Sequence, residues 1–411
     1  MKVDKFEQMN MFSIMYDQYK ITKPIRLIEL FAGIGSQHEA LKRLGADVEP
    51  YKVVEFDKYA IASYNAIHGT NFKTSDITKI AASDLEIVDT DKHEYIMTYS
   101  FPCQDLSLAG KGKGMQKGSG TRSGLLWEVE RILEECQELP QVLLMENVPQ
   151  VHSEENMSDF IAWQNKLESL GYTNYWQDLN AKDYGIPQNR NRCFMISILG
   201  KHYYEFPRPF KLELKLKDML ESEVDEKYYL SDKIIKKLIY TDNSADVPIC
   251  LNSKGGRNGI EGLQPSVQNR VYSINGVSCA ITCSFNPNIL IPEATKKGYA
   301  EAGDGDGVYI NRPHQKRGVV QKEMIQTLKT QCNDVGVCVN SEHNLRIRKL
   351  TPKECWRLMG FLDDSFDKAE KVNSNAQLYK QAGNSIVVTV LMNIFKELLE
   401  GERWMRKKEC H

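Results

Sequence analysis

The chain has 411 residues, 41% hydrophobic and 26% charged, the balance of a soluble globular protein with one large domain or two smaller ones. A net charge of -2 excludes an overall basic signature for nucleic acid, so any such surface must be local. Ten cysteines lie without a paired framework, and no apolar run is long enough for a signal peptide or membrane span, which points to a reducing, cytoplasmic setting.

Residues 1–23 are polar and mixed, a frayed leader or a short helix. Ile25 to Phe31 has the pattern of a β-strand and runs straight into Ala32-Gly33-Ile34-Gly35-Ser36. A helix pattern follows to about Leu44, with Ala40, Leu41 and Leu44 on one face. Strand, glycine turn and helix open a doubly wound α/β fold, and the glycines let the backbone approach a ligand at a helix N-terminus. The third glycine of the dinucleotide fingerprint is missing, which argues against a nicotinamide oxidoreductase. Tyr51 to Glu55 is a second strand ending in a carboxylate, where such folds hold ribose hydroxyls; a solvated strand-end glutamate is the plainer alternative.

Asp57 to His68 has a helix pattern. A short extended piece, Asn71 to Thr74, precedes Asp76-Ile77, an acid and an apolar residue suited to an adenine amino group and ring face. Three successive strand ends thus carry Gly33/Gly35, Glu55 and Asp76, which suggests an adenosine-type cofactor at the carboxyl edge of a parallel sheet. No Lys-Ser/Thr phosphate motif accompanies the glycines, so ATP is not expected.

Tyr95 to Tyr99 is another strand, leading into Ser100-Phe101-Pro102-Cys103-Gln104. A cysteine at a strand exit, ahead of a flexible basic loop, is placed to act as a nucleophile if the setting favours its thiolate; taken by itself it also fits a buried strand-end cysteine. Residues 110–124 are rich in glycine and include Lys111, Lys113 and Arg122, cations suited to phosphates on a loop able to close as a lid, or else a solvated linker. Leu125 to Leu133 is a helix. Val142 to Met145 is a buried strand ending in Glu146-Asn147-Val148-Pro149. A glutamate there should feel desolvation, which raises its pKa and suits a group that holds a proton; a structural ion pair is the alternative.

Another helix, Asp159 to Leu170, precedes extended Tyr175 to Asn180 and the strand Cys193 to Ile198. Arg190 and Arg192 alternate at the entry of that strand, so they share a face and favour a carbonyl, carboxylate or phosphate, unless they are a surface pair.

Residues 201–345 differ in character. Phe206-Pro207-Arg208-Pro209 marks a boundary, and Lys-rich amphipathic pieces follow, Lys211 to Leu220 and Lys233 to Tyr240. Cys279/Cys283 and Cys332/Cys338 have three and five residues between them, which does not match tight CxxC pairs, so no metal is expected. A last helix near Ile386 to Leu399 follows Gly383-Asn384.

The ordered set of FAGIGS, Glu55, Asp76, SFPCQ, ENV, QNRNR, RKLTPKECWRLMGF and QAGNSI closely resembles the cytosine-5 DNA methyltransferase family. The resemblance covers about residues 25–200 and 346–400. TYSFPCQDLS, TRSGLLWEVERIL and LLMENV are similar to the mollicute CpG methyltransferases in the catalytic part.

It implies a Rossmann-like S-adenosylmethionine-dependent methyltransferase domain, discontinuous over 1–200 and 376–411, and a smaller mixed α+β target recognition domain over 201–375. By the same resemblance Cys103 attacks C6 of a cytosine flipped from the duplex, and Glu146 contacts N3 and the exocyclic amine. Arg192 braces the base, with Arg190 beside it. Phe31, Gly33, Ile34, Gly35, Glu55, Phe56, Asp76, Ile77, Pro102, Leu125, Asn384 and Ser385 line the cofactor pocket.

Gln104 and Ser107 begin a loop that closes on double-stranded DNA, with Lys111, Lys113 and Arg122 along it; Arg317, in His314 to Gly318, lies on a DNA-facing turn. Asn269 to Ser278 resembles the lead-in to the recognition loop, where Cys279-Ala280-Ile281-Thr282 replaces the usual Pro-Thr-Leu-Thr. Ser100 stands for the usual Gly and Glu29 for the commoner Asp. The expectation is a cytoplasmic monomer of a bacterium or phage, with a cognate restriction endonuclease as a genetic rather than physical partner. The rival readings are a tRNA cytosine-5 methyltransferase and a non-catalytic DNA-binding paralogue.

Overall fold

The computed structural model describes residues 16–103, 105–106, 114–231, 234–235, 289–296, 298–312, 315–341 and 344–399. The chain divides into two compact units. One takes the residues up to Ile186, Arg190–Leu212 and those from Trp356 on; the other takes Pro187–Asn189 and Glu213–Cys355.

The first unit is built on six strands: β1 (Ile25–Leu30), β2 (Val48–Val54), β3 (Glu94–Tyr99), β4 (Val142–Asn147), β5 (Tyr172–Asn180) and, after β6 (Gln188–Asn189) in the second unit, β7 (Asn191–Leu199). Their order is β2-β1-β3-β4-β7-β5. β1 is parallel to β2 and β3, and β3 to β4, whereas β7 is antiparallel to both β4 and β5. The sheet is therefore mixed. The short return from β5 leaves no room for a crossover helix, so β7 must run against its neighbour.

β3 and β4 are buried at every residue, which demands cover on both faces. On one face Met97, Tyr99, Met145 and Met195 pack with Leu126, Val129 and Leu133 of α3 (Leu126–Glu135) and Phe160, Trp163 and Leu167 of α4 (Met157–Ser169). The other helices of this unit include α1 (Ser36–Arg43) and α2 (Lys58–His68). After α5 (Pro352–Arg357) come α6 (Asp363–Glu370), α7 (Asn375–Asn384) and α8 (Val388–Leu398), and α1 packs on α8.

Two details depart from the sequence pattern. Asn71 to Thr74 is not a strand, because Asn65 takes both Phe72 backbone groups, Oδ1 accepting from N–H and Nδ2 donating to the carbonyl, each at 2.9 Å. Residues 356–375, which the sequence boundary at 376 set with the second domain, pack with the first unit. Trp356 is fully buried and its Nε1 donates to the Leu378 carbonyl at 3.0 Å.

The second unit holds the antiparallel sheet β11-β10-β13-β14, formed by β10 (Gly307–Tyr309), β11 (Val320–Gln321), β13 (Val335–Ser341) and β14 (Asn344–Arg348). Beside it are the pair β8 (Ile289–Pro292) and β9 (Tyr299–Ala302), and β12 (Ile325–Gln326), which pairs in parallel with β6. Leu230, Ile291, Val308, Ile310, Val319, Cys338 and Ile347 form its core. Of the amphipathic piece Lys211 to Leu220 only a 3-10 turn, Leu216–Met219, is regular, since two apolar side chains on one short face bury there and the lysines stay in water. The piece from Lys233 to Tyr240, except Ile234 and Ile235, and the stretch Asn269 to Thr282 lie outside the described residues.

Candidate active site

The turn after β1 is built of left-handed backbone, with φ of 58° at Phe31, 57° at Gly33 and 81° at Gly35. A Cβ added to Gly33 would meet nothing within 4 Å, so its backbone stands open to a ligand. Gly35 is fixed by crowding instead: a Cβ would lie 2.3 Å from His68 Nε2. That nitrogen donates to the Ile34 carbonyl at 3.0 Å. Beneath the turn the Tyr64 hydroxyl donates to Glu29 Oε2 at 2.5 Å. Burial pushes the Glu29 carboxyl up to about 7, against the bonds from Tyr64 and the His38 backbone.

Glu55 follows β2. Its Oε2 accepts from Gly33 N–H and its Oε1 from Asp57 N–H, both at 2.8 Å, so the carboxylate braces the glycine turn. Desolvation raises its pKa and these two bonds oppose the rise. Beside it Phe56 leaves 78% of its surface exposed. The Ser75 N–H donates to the Glu55 carbonyl at 2.9 Å, which brings in Asp76 and buried Ile77. Asp76 is not at a strand end. It caps the 3-10 turn Ile77–Lys79, accepting from Thr78 N–H and Oγ1, and the Thr78 hydroxyl is the main reason its pKa falls. Pro102 and Leu125 are half-buried, Asn384 is exposed and Ser385 is buried.

From Tyr99 the chain crosses Ser100 and buried Phe101 to Cys103. Two side chains outside this stretch pin it: Asn147 Nδ2 donates to the Phe101 carbonyl at 2.9 Å and Ser123 Oγ to the Pro102 carbonyl at 2.7 Å. Neither carried a role in the sequence reading, although Asn147 sits inside ENV and Ser123 inside TRSG. Cys103 is half-buried. The basic setting expected to favour its thiolate is outweighed: burial first, then the Glu146 charge, pushes the thiol up, while Arg192 and Arg190 pull the other way. Glu146 lies within β4 and is 8% exposed, with Arg192 Nε 3.2 Å from its Oε1. Burial raises its pKa, opposed in order by Arg192, Arg190 and the Ser100 hydroxyl.

Arg190 and Arg192 both bear on Cys103 and Glu146, Arg192 more strongly. Arg190 lies between β6 and β7, and its carbonyl accepts from Ala181 N–H at 3.0 Å, next to the Asn180–Asn191 pair of the β5–β7 ladder. It is buried, and its Nη2 donates to the carbonyls of Gly383 (3.1 Å) and Ser385 (2.9 Å), tying down the segment that carries Asn384.

Gln104, Ser107, Lys111 and Lys113 lie outside the described residues. Arg122 is exposed at the base of their loop, where its N–H donates to Asp105 Oδ2 at 2.9 Å. Arg317 is exposed between β10 and β11 in the second unit. Cys279 and Cys283 also lie outside the described residues, while Cys332 and Cys338 are buried. Among the described residues one trio has possible metal donors within 4.8 Å of one another, His152, Asp178 and Cys193, and there His152 Nε2 already bonds Asp178 Oδ1 at 2.9 Å.

Residues 25–400 match the family described as C-5 cytosine-specific DNA methylase. The chain belongs to that family. The methylase is similar to Type II methyltransferase M2.ScrFI of Lactococcus lactis subsp. cremoris, 31% identical over 426 residues that span 92% of this chain and 100% of that one. Orphan methyltransferase M.SssI of Spiroplasma monobiae is 37% identical over 268 residues, 51% of this chain and 68% of its own. Among solved structures, the Entamoeba histolytica methyltransferase EhMeth has a TM-score of 0.57 at 17% identity, covering 92% of this chain and 98% of that one, a likeness of fold.

Proposed function

We propose that this methylase is a DNA (cytosine-5-)-methyltransferase acting on a flipped cytosine within a short specific duplex sequence. Its methyl donor is S-adenosylmethionine. The first unit suits that molecule: Gly33 leaves backbone open, Glu55 keeps lone pairs for ribose hydroxyls, and the Phe56 ring stands bare for a purine. Phe31, Ile34, Gly35, Asp76, Ile77, Pro102, Leu125, Asn384 and Ser385 would complete its pocket. When bound, S-adenosylmethionine supplies an electrophilic methyl group on a sulfonium.

Cys103 loses its proton and its sulfur bonds to C6 of the cytosine. The C5–C6 π electrons then become nucleophilic at C5, which accepts the methyl group. Loss of the C5 proton and cleavage of the C6–S bond restore the ring. Glu146, whose raised pKa suits it to hold a proton, meets N3 and the exocyclic amine, so that density arriving at N3 is stabilised. Arg192 keeps that carboxyl aimed, and Arg190 adds its charge to the same groups while holding Gly383 and Ser385. Neither face of C6 is reachable inside a stacked duplex, so the base must leave it.

The observation that carries this reading is buried Glu146, paired with half-buried Arg192 and bearing on the Cys103 thiol. The second unit is read as the target recognition domain, with Gln104, Ser107, Lys111, Lys113, Arg122 and Arg317 toward DNA. We further read the protein as a cytoplasmic monomer, with any restriction endonuclease a genetic partner; no helix among the described residues is long and apolar enough to cross a membrane.

The test is tritium transfer from labelled S-adenosylmethionine to duplex DNA and bulk tRNA side by side, then bisulfite sequencing. Label at cytosine C5 in one short DNA motif is expected. Label only in tRNA would move the substrate to RNA, and no label with cofactor still bound would leave a DNA-binding paralogue.

A further inference from the structure

The chain leaves the first unit after Ile186, spends Pro187–Asn189 in the second, and returns at Arg190. A two-residue parallel pairing is weak by itself. Here it is reinforced at each step: Ile325 N–H donates to the Pro187 carbonyl (2.9 Å), Leu328 N–H to Gln188 Oε1 (3.1 Å) and Thr327 Oγ1 to the Asn189 carbonyl (2.6 Å). β12 is in turn clamped by one buried amide. Gln326 is 3% exposed, and its Nε2 donates to the carbonyls of Gly307 on β10 and Val319 just before β11, both at 3.2 Å. Both neighbours are acceptors, so the amide has one workable orientation, and its Oε1 accepts no hydrogen bond among the described residues. The Val319 carbonyl also accepts from Tyr309 N–H at 3.0 Å, which closes the base of the β10–β11 loop that exposes Lys316 and Arg317.

We propose that Gln326 is a positioning residue for specificity. It couples the β10–β11 loop to β12, and β12 to β6, whose chain runs directly on to Arg190 and Arg192. A shift of the Val319 carbonyl when the loop meets a wrong sequence is passed to the strand that sets Arg192 against Glu146. This rests on the reading above of a sequence-specific DNA methyltransferase. Spatial continuity by itself does not establish coupling, so the test must measure coupling.

Full-length wild type, Gln326→Met, Arg317→Ala and the double variant are each given plasmid DNA. Single-turnover methylation is read by bisulfite sequencing at the preferred motif and at every one-base departure from it. Gln326→Met should lower the ratio of motif to off-motif rates about tenfold, with cofactor affinity unchanged, and its effect should be smaller when Arg317 is already alanine. An unchanged ratio, or losses that simply add, overturns the proposal. If Gln326→Met does not fold, Thr327→Val, which removes the hydrogen bond to Asn189, must give the same loss of discrimination. Wild type that labels no cytosine in any context would sink the methyltransferase reading itself, a result separate from equal discrimination in an active variant.

Discussion

The Cys103 thiol and the Glu146 carboxyl each hold their protons more tightly than usual. The Glu146 charge is the second cause, after burial, that lifts the thiol above its ordinary value of 9.0. Replacing that charge by an amide should therefore lower the thiol pKa. In the free protein, the pH profile of iodoacetamide alkylation at Cys103, read by mass spectrometry, should move to lower pH in Glu146→Gln; an unmoved profile would mean the two groups do not interact. The same variant should slow methyl transfer by about a hundredfold or more, since a positioned acid or base is lost. Cys103→Ser should abolish transfer, by roughly a thousandfold or more, and leave S-adenosylmethionine binding intact by titration. Wild-type turnover in that variant would remove Cys103 from its role.

At the scale of elements, the glycine turn makes two predictions. Gly33→Ala meets only backbone strain, on the order of 1 kcal/mol, whereas Gly35→Ala adds a collision with His68 and Tyr64 and should unfold at distinctly lower denaturant. Equal midpoints would contradict the crowding. Below the turn, Glu29 has a folded pKa of about 7 against an ordinary 4.5. Its neutral form therefore contributes stability that is full below pH 4.5 and is lost as pH rises toward about 7. The stability of wild type relative to Glu29→Gln should fall across that window and level off above it, in urea unfolding at fixed temperature. His38 and His68, held down to about 4 and about 3 by burial, work in the opposite sense, but they are common to both proteins and largely cancel in the difference.

This element was legible in sequence because the period changes from strand to helix across two glycines. Glu146 was legible because four apolar residues precede it. Asp76 was misplaced because a side-chain amide, Asn65, can satisfy a backbone that looks extended. The bond from Arg190 to Gly383 and Ser385 was not legible, because its partners lie almost 200 residues away in sequence. The setting of Cys103 was misjudged because burial, and after it the Glu146 carboxylate further on in sequence, outweigh the Arg192 and Arg190 charges.

For the whole molecule, a net charge of -2 leaves no general attraction to nucleic acid, so affinity must come from a local patch. DNA binding should weaken linearly in log–log form as salt rises, with a slope that counts the phosphates met. A flat response would point away from a nucleic-acid substrate. The split first unit has a consequence for how the protein is made. Ile21 N–H donates to the Leu398 carbonyl at 2.8 Å, and α1, with Ala40 and Leu41 buried, packs on α8. On the ribosome the early strands and α1 emerge long before α8, and at roughly 5–20 residues per second that interval lasts on the order of 20–70 s. Throughout it the nascent chain carries a bare apolar flank that no later-arriving neighbour has yet covered. Synthesis speed and chaperone supply, rather than the stability of the finished fold, should then limit how much active protein a cell accumulates.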